Sequence, residues 1–388
     1  MLLTTWGSTG DIAPYTGVAA ALTAAGHQVT VVVSSRYTNR FTMHAAHVHA
    51  LPTEKQEDVL LARKRAHPRL WQHIPTTAAP VLLRTSAEAD LILANPLMHP
   101  LCAVIGEGLN VPSVGVYTIA LGMILPRLAA GHAANGYALA DKAAKLALSH
   151  MFAPAVRYLR HSLGLPLRRT ETLLRTLRDQ QICYGMSEAL IPAGFPHTTT
   201  GHWTPCRPDG WQPGRRLLDF LERGPAPVYF GFGSMYRTDT AKLNQIIEET
   251  VRILGVRAVI QAGWGGLHAE TDDILTIGEC PHDWLFPRMR AAVHHAGVGT
   301  VHASLSAGIP TLPVPVMLDQ PYWAGRLHTL GLTPAVIPAR HLTAERLEHS
   351  LSRLLHQDMY TERILKFRDR AQKQDGTGNL LTEINRYL

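Results

Sequence analysis

The chain has 388 residues and a formal net charge of +7; 46% of its residues are hydrophobic and 17% are charged. At roughly 100–200 residues per domain that length makes two or three domains, and the composition excludes intrinsic disorder and low-complexity repeats. The basic balance, with a pI of about 9.3, contains no run of five Lys or Arg, which argues against nucleic-acid binding and for a solvated surface with a local preference for anions.

In chain order, Leu2-Leu3-Thr4-Thr5 predicts a short buried strand and Gly7-Ser8-Thr9-Gly10-Asp11 a turn. Pro14 to Ala25 predicts an alanine-rich helix closed by Gly26. Gln28 to Val33 is a β-branched strand of the kind that a doubly covered parallel sheet buries. Met1 to Gly7 lacks a basic leader segment and is read as this first strand rather than as a signal peptide. Ala89 to Ala94 and Val111 to Tyr117 continue the pattern, and residues 120–180 read as helical, rich in Ala, Leu and Arg. No stretch of about 18 apolar residues occurs.

Arg157, Arg160, Arg168, Arg169, Arg175 and Arg178 fall in that helical region. The plain account makes them the polar faces of surface helices, and the sharper one gives them an anionic membrane surface or an acidic partner. From Ile191 to Pro227 the chain carries seven prolines, which marks an interdomain linker. The strand–turn–helix order then restarts. Val228 to Ser234, Val256 to Gln261, Ile274 to Ile277, Ala291 to His295 and Thr311 to Val314 read as strands, with helices at Thr240 to Leu254 and Leu342 to Gln357. Two α/β sheets are therefore expected, each opened by a strand and a glycine turn, with ligands beyond the carboxyl ends of the strands.

Cys102, Cys183, Cys206 and Cys280 lie far apart with no CxxC, so neither a zinc site nor a disulfide framework is expected, and a reducing, cytoplasmic location fits. His44, His47 and His49 cluster without a carboxylate or cysteine at ligand spacing, so no metal site is assigned.

The strongest local signal is His294-His295-Ala296-Gly297-Val298-Gly299-Thr300, set between a strand and a helix. Glycines let backbone N–H groups approach an anion, the helix start adds partial positive charge, and Thr300 adds a hydroxyl. It is neither a Walker A loop nor a GxGxxG fingerprint. Taken alone, the same glycines also serve a bare tight turn. Gly231-Phe232-Gly233-Ser234 is a second such turn. Asp319-Gln320 puts acceptors and donors side by side, as sugar hydroxyls require, though taken alone an Asp-initiated turn before Pro321 is the preferred account. Asp11 places a carboxylate after the first strand, where it is either a general base or a helix cap.

Together these pieces resemble glycosyltransferase family 1 of the GT-B fold, nearest to bacterial natural-product enzymes of the vancomycin group and to sterol glucosyltransferases. The resemblance rests on Gly7 to Asp11, Gly231 to Ser234, Gly263-Trp264-Gly265-Gly266-Leu267, Ile277-Gly278-Glu279, His294 to Thr300, and Ala307 to Arg326. The spacing of 25 residues from His295 to Gln320 matches the family's donor signature. Residues 50–200 show no resemblance.

The resemblance implies two Rossmann-like domains facing each other across a cleft: residues 1–205 for the acceptor, 206–372 for the nucleotide sugar, and a final helix, 373–388, that packs back on the first. It implies an inverting, metal-independent transferase with no cofactor. The co-substrate would be a UDP or dTDP sugar, and the acceptor a hydroxyl of an apolar natural product or glycopeptide. By the same resemblance Asp11 is the base, and Ser234, His295, Gly297, Val298, Gly299 and Thr300 hold the donor diphosphate. Asp319 and Gln320 hold the sugar, and Trp264, Glu279, Cys280 and His282 line the nucleoside pocket. Ser8, Thr9, Tyr117 and Met123 are the acceptor candidates; Tyr117 and Met123 come from an apolar stretch that also suits a core. Glu279 stands where plant members carry a base-stacking tryptophan, which makes dTDP as suitable as UDP. Thr9 stands where glycopeptide and sterol enzymes usually carry arginine. A sterol or lipid acceptor, a nucleotide-sugar epimerase and an inactive auxiliary protein are the alternatives. Oligomeric state (monomer or dimer) and weak peripheral membrane contact are left open.

Overall fold

The computed structural model describes residues 1–52, 68–119, 136–170, 180–195, 197–233, 239–263 and 266–388. The chain divides into two compact units, Met1–Asp209 with Gln374–Leu388, and Gly210–Lys373.

The first unit opens with β1 (Leu2–Thr4), α1 (Thr9–Ala24), β2 (Thr30–Ser34) and β3 (His47–Leu51). It continues through α2 (Pro68–Ser86), β4 (Ile92–Ala94), α3 (His99–Leu109), β5 (Ser113–Tyr117) and α4 (Gly136–Ser162) to β6 (Ile182–Tyr184) and β7 (Thr198–Thr199). The strands form one parallel sheet in the order β3-β2-β1-β4-β5-β6-β7. Alternate side chains leave opposite faces of a strand, so both faces must be covered. Leu3, Val31, Val33, Leu93 and Val116 pack on one face with Ile12, Tyr15 and Val18 of α1. Leu2, Val32, Ile92 and Ala94 pack on the other with Ile74, Leu101, Ile105 and Phe152 of the α2, α3 and α4 helices.

The second unit contains α5 (Arg215–Glu222), β8 (Val228–Gly231), α6 (Thr240–Leu254), β9 (Ala258–Gln261), β10 (Ile274–Ile277) and α7 (His282–Leu285). There follow β11 (Ala291–His294), α8 (Val298–Ala307), β12 (Thr311–Pro313), α9 (Gln320–Thr329), α10 (Ala344–His356) and α11 (Asp358–Ala371). Its strands are parallel in the order β10-β9-β8-β11-β12. Phe230, Ile260, Val293 and Leu312 face one core, and Tyr229, Val259, Leu275 and Ala292 the other. The last helix, α12 (Gly376–Ile384), returns to the first unit, where Leu380 and Ile384 join the α1 side of the core.

Both sheets wind outward in two directions from a central pair of strands, β1 and β4 in one and β8 and β11 in the other. That is the doubly wound Rossmann arrangement, with its ligand crevice at the carboxyl ends of the central pair. Two details differ from the sequence reading. Helix α1 starts at Thr9, not Pro14, because Ser8 and Asp11 form a capping box one turn earlier and Pro14 is held inside the helix. His47 and His49 lie on β3, an edge strand whose side chains are mostly exposed. Among the described residues no helix is long and apolar enough to cross a membrane, and no three His, Cys, Asp or Glu side chains form a metal-binding group.

Candidate functional site

In the second unit the crevice is framed by the turns after β8 and β11. Gly233 after β8 has φ +61°, and Ala296 after β11 has φ +63°. A non-glycine residue with positive φ needs support from its surroundings. His294 supplies it: the Ala296 amide donates to His294 Nδ1 at 3.0 Å. With Nδ1 acting as acceptor, Nε2 carries the proton and donates to the Thr311 hydroxyl. His294 is fully buried and held neutral, its pKa driven well below the usual value by burial and by His295 and His282 nearby. The first histidine of the pair therefore shapes the turn and is not available to a ligand.

The second histidine is different. His295 fits between two glycines: a Cβ on Gly233 would lie 2.9 Å from its Cε1, and one on Gly297 only 2.5 Å from its Nε2. Neither position tolerates a larger residue while the ring stays. Among the described residues its Nδ1 is buried with no hydrogen-bond partner. Burial pushes its pKa down to about 4, with the Gly231 carbonyl opposing the shift. At neutral pH this ring is an uncharged hydrogen-bonding group with unsatisfied capacity, the kind of buried atom that a polar ligand completes.

Helix α8 begins beside it. Its N-cap is Gly297, which supplies no capping side chain, and its first turn holds no acid. The amides of Val298, Gly299 and Thr300 are the first three of the helix and so find no acceptor inside it. These orphan donors and the helix dipole favour an anion. His295, Gly297, Val298, Gly299 and Thr300 thus lie together. Ser234 and Trp264 fall outside the described residues.

Asp319 and Gln320 open helix α9. Leu318 before them has φ +55°. Gln320 Oε1 accepts from the amides of Val316 (2.8 Å) and Met317 (3.1 Å), which leaves the Gln320 NH2 as the donor end. Asp319 Oδ2 accepts from Trp323 Nε1 at 2.9 Å, so the carboxylate is held to the helix it opens.

Of the nucleoside candidates, Glu279 is exposed, while Cys280 is buried in the core beside Trp284 and Tyr229. His282 stacks on Phe286 with ring centroids 4.3 Å apart. Its Nε2 lies 3.2 Å from Gln261 Oε1, to which Tyr229 also donates. Burial and the neighbouring His295 push the His282 pKa down to about 4. This Tyr229–Gln261–His282 cluster was not anticipated from the sequence. Its one trace there is strand alternation, which puts Tyr229, Gln261 and His294 on the same face of the sheet as Val259 and Ala292.

In the first unit the turn after β1 holds a carboxylate. Gly7 has φ +145°, and a Cβ there would lie 2.6 Å from Asp11 Cβ. Asp11 Oδ2 accepts from the Ser8 amide (2.8 Å) and the Ser8 hydroxyl (2.7 Å). Oδ1 takes part in no hydrogen bond among the described residues. Burial raises the Asp11 pKa above its usual 3.8, and the Ser8 bonds hold the rise back. One oxygen is fixed and the other is open, which suits a base and also serves as a cap. Asn95, after β4, ties the same turn by donating to the Trp6 carbonyl at 2.8 Å.

Thr9 starts α1, with its hydroxyl 3.2 Å from that of Tyr37. Tyr117 is buried, its hydroxyl 2.8 Å from His99 Nδ1 and its ring edge-on to Tyr184, so its place is in the core. Met123 lies outside the described residues.

Residues 264–379 match the EryCIII-like C-terminal domain family, described as erythromycin biosynthesis protein CIII-like. A sterol 3-beta-glucosyltransferase of Arabidopsis thaliana is 36% identical over 182 residues, covering 46% of this chain and 29% of its own length. One from Pichia angusta is 28% identical over 372 residues, covering 85% of this chain and 29% of its own. The chain spans under a third of these curated relatives. The solved structure of the glycosyltransferase VinC in complex with dTDP superposes with a TM-score of 0.72 at 16% identity, covering 100% of this chain and 98% of that one. The sequence resemblance to GT-B proteins of glycosyltransferase family 1 is therefore borne out: the chain has the GT-B fold, two Rossmann-like units, and its residues 264–379 match the EryCIII-like C-terminal domain family.

Proposed function

We propose that this chain is an inverting, metal-independent glycosyltransferase that moves a sugar from a UDP or dTDP donor to a hydroxyl of a largely apolar acceptor. The observation that carries the reading is the second unit's crevice, where an uncapped helix start meets a buried histidine whose Nδ1 has no partner among the described residues. A diphosphate satisfies both at once. The amides of Val298, Gly299 and Thr300 donate to its oxygens, and His295 donates to it as a neutral imidazole. Gln320 presents its NH2, and Asp319 its carboxylate, to sugar hydroxyls.

In the reaction the acceptor oxygen bonds to the anomeric carbon while the bond from that carbon to the diphosphate oxygen breaks. The electron pair leaves with the diphosphate, and the acceptor proton goes to Asp11 Oδ1. The transition state is oxocarbenium-like, as in glycoside hydrolysis. Attack opposite the leaving group inverts the anomeric centre. The named activities of the Arabidopsis and Pichia relatives favour a sterol-like acceptor, and the EryCIII-like match favours a macrocyclic one. Both are apolar, as the proposal requires.

The test has two parts. UDP, dTDP and GDP are compared by thermal shift; a native-state ligand at a hundredfold excess over Kd adds about 2.7 kcal/mol. The chain is then incubated with UDP- and dTDP-glucose and a panel of sterol and macrolide acceptors. The expected product is a β-glucoside from the α-linked donor, read by NMR. A retained anomer refutes inversion. Sugar converted to its epimer without an acceptor replaces transfer with epimerisation, and no stabilisation by any nucleotide removes the donor site.

A further inference from the structure

The arginines of the first unit take no part in the chemistry above, yet four of them converge. A cavity of about 470 Å³ opens between the C-terminal half of α4 and the segment after it, lined by Ser149, Arg157, Arg160, Arg168 and Arg169 among others. Among the described residues no acidic side chain lines it. One carboxylate stands behind it: Glu107 takes two hydrogen bonds from Arg160, at 2.8 and 3.2 Å, and lies 3.6 Å from Arg168. Arg160 also donates to the Pro166 carbonyl at 2.6 Å, which fixes the loop that carries Arg168 and Arg169. Arg157 and Arg169 are exposed and have no ion-pair or hydrogen-bond partner among the described residues. Ser149 Oγ is buried with no partner among the described residues. The site therefore holds more guanidinium charge than Glu107 offsets, and a hydroxyl with nothing to bond.

Two leucines complete the arrangement. Leu146 and Leu167, both lining the cavity, are 59% and 72% exposed. Leu146, Ser149, Ala153, Arg157 and Arg160 follow helical spacing and share one stripe of α4. Arginine forks match phosphate oxygens two at a time, and exposed leucines beside basic residues are the pattern of a surface that rests on lipid.

We propose that this cavity takes the phosphate of an anionic lipid headgroup, with Leu146 and Leu167 entering the headgroup boundary, so that the first unit docks on an anionic membrane surface. The leucines favour lipid over an acidic peptide, which would need no apolar contact. The proposal does not depend on glycosyl transfer, and its test uses no nucleotide sugar.

The full chain is sedimented with phosphatidylcholine vesicles and with vesicles containing phosphatidylglycerol, at low and high salt. Binding is expected to the anionic vesicles only, falling with salt. The double variant Arg157→Gln/Arg169→Gln should weaken it about thirtyfold, since each basic residue near such a surface contributes about a factor of five. Arg157→Lys/Arg169→Lys should keep most of the affinity. Leu146→Ser/Leu167→Ser should weaken binding without changing its salt dependence. All four substituted positions are exposed, and equal melting temperatures check that the variants are folded. Equal binding to both vesicle types, or full binding by the glutamine variant, overturns the proposal. So does inorganic phosphate or polyglutamate releasing the chain from anionic vesicles at concentrations where sodium chloride of equal ionic strength does not, because the site would then belong to a free anion or an acidic peptide.

Discussion

The turns after β1 and after β11 each follow a strand of the central pair in their own sheet and run into a helix. They differ in what fills the first helical turn. In the first unit Ser8 and Asp11 close a capping box, so the helix start is satisfied by its own acid. In the second unit the N-cap is glycine and the first turn has no acid, so the amides stay open and the dipole is not offset. One frame thus yields a carboxylate that repels anions and an amide cluster that attracts them. A single residue type in the first helical turn decides between the two.

The largest expected effect comes from removing the carboxylate. Asp11→Asn keeps the Ser8 contacts and should lower kcat by about 10²–10⁴-fold, the usual contribution of a positioned general base. Stabilisation by nucleotide should be unchanged. Because burial raises the Asp11 pKa, its base form is lost as pH falls through a value above 3.8, and the acid limb of the kcat profile should lie there and vanish in the variant. An Asp11→Asn protein of normal turnover leaves Asp11 with capping alone. The matching change in the second unit is His295→Ala. It should lower turnover by about 10²-fold, as for loss of one preorganised donor to a leaving group, and should also reduce the nucleotide thermal shift. A kcat loss with an intact nucleotide shift would show that His295 acts without touching the diphosphate.

Gly7→Ala tests the frame rather than the chemistry. At φ +145° the new Cβ would press on Asp11, so the turn must move. We expect a stability loss of about 1–3 kcal/mol by denaturant titration, with a lower kcat because Oδ1 is displaced. Unchanged stability would mean that the turn is softer than its contacts suggest.

Much of the second sheet was legible because its strands are short apolar runs bounded by glycine and proline. Helix α6 and strand β10 start and end where the sequence places them, at Thr240–Leu254 and Ile274–Ile277. Strands β3, β6 and β7 were not read. β3 carries polar, exposed residues at an edge, and β6 and β7 are three and two residues long, too short for a periodic signal. At the site, the glycines around His295 were visible as a pattern. The role of His294 was not, because it depends on Thr311 across the sheet and on which ring nitrogen accepts from Ala296. The Tyr229–Gln261–His282 cluster draws on three separate elements, and no local pattern joins them.

The smallest effect sharpens the comparison within the second unit, between the residues that hold phosphate and those that meet the sugar. Gln320 has two ends. Its carbonyl oxygen holds the Val316 and Met317 amides across the positive-φ Leu318, and its NH2 is the only part a substrate can use. Gln320→Glu keeps an oxygen for both amides and replaces the donor with an acceptor. The loop should therefore stay in place and the melting temperature should hold, whereas Gln320→Ala would lose the loop and the donor together. If the NH2 meets a sugar hydroxyl, KM for the sugar nucleotide should rise about fivefold, the value of one hydrogen bond of roughly 1 kcal/mol. Affinity for the free nucleoside diphosphate should not change, because that part of the donor rests on His295 and the α8 amides. An equal loss for both ligands would place Gln320 on the nucleotide, and a loss for neither would reduce it to a support for the loop.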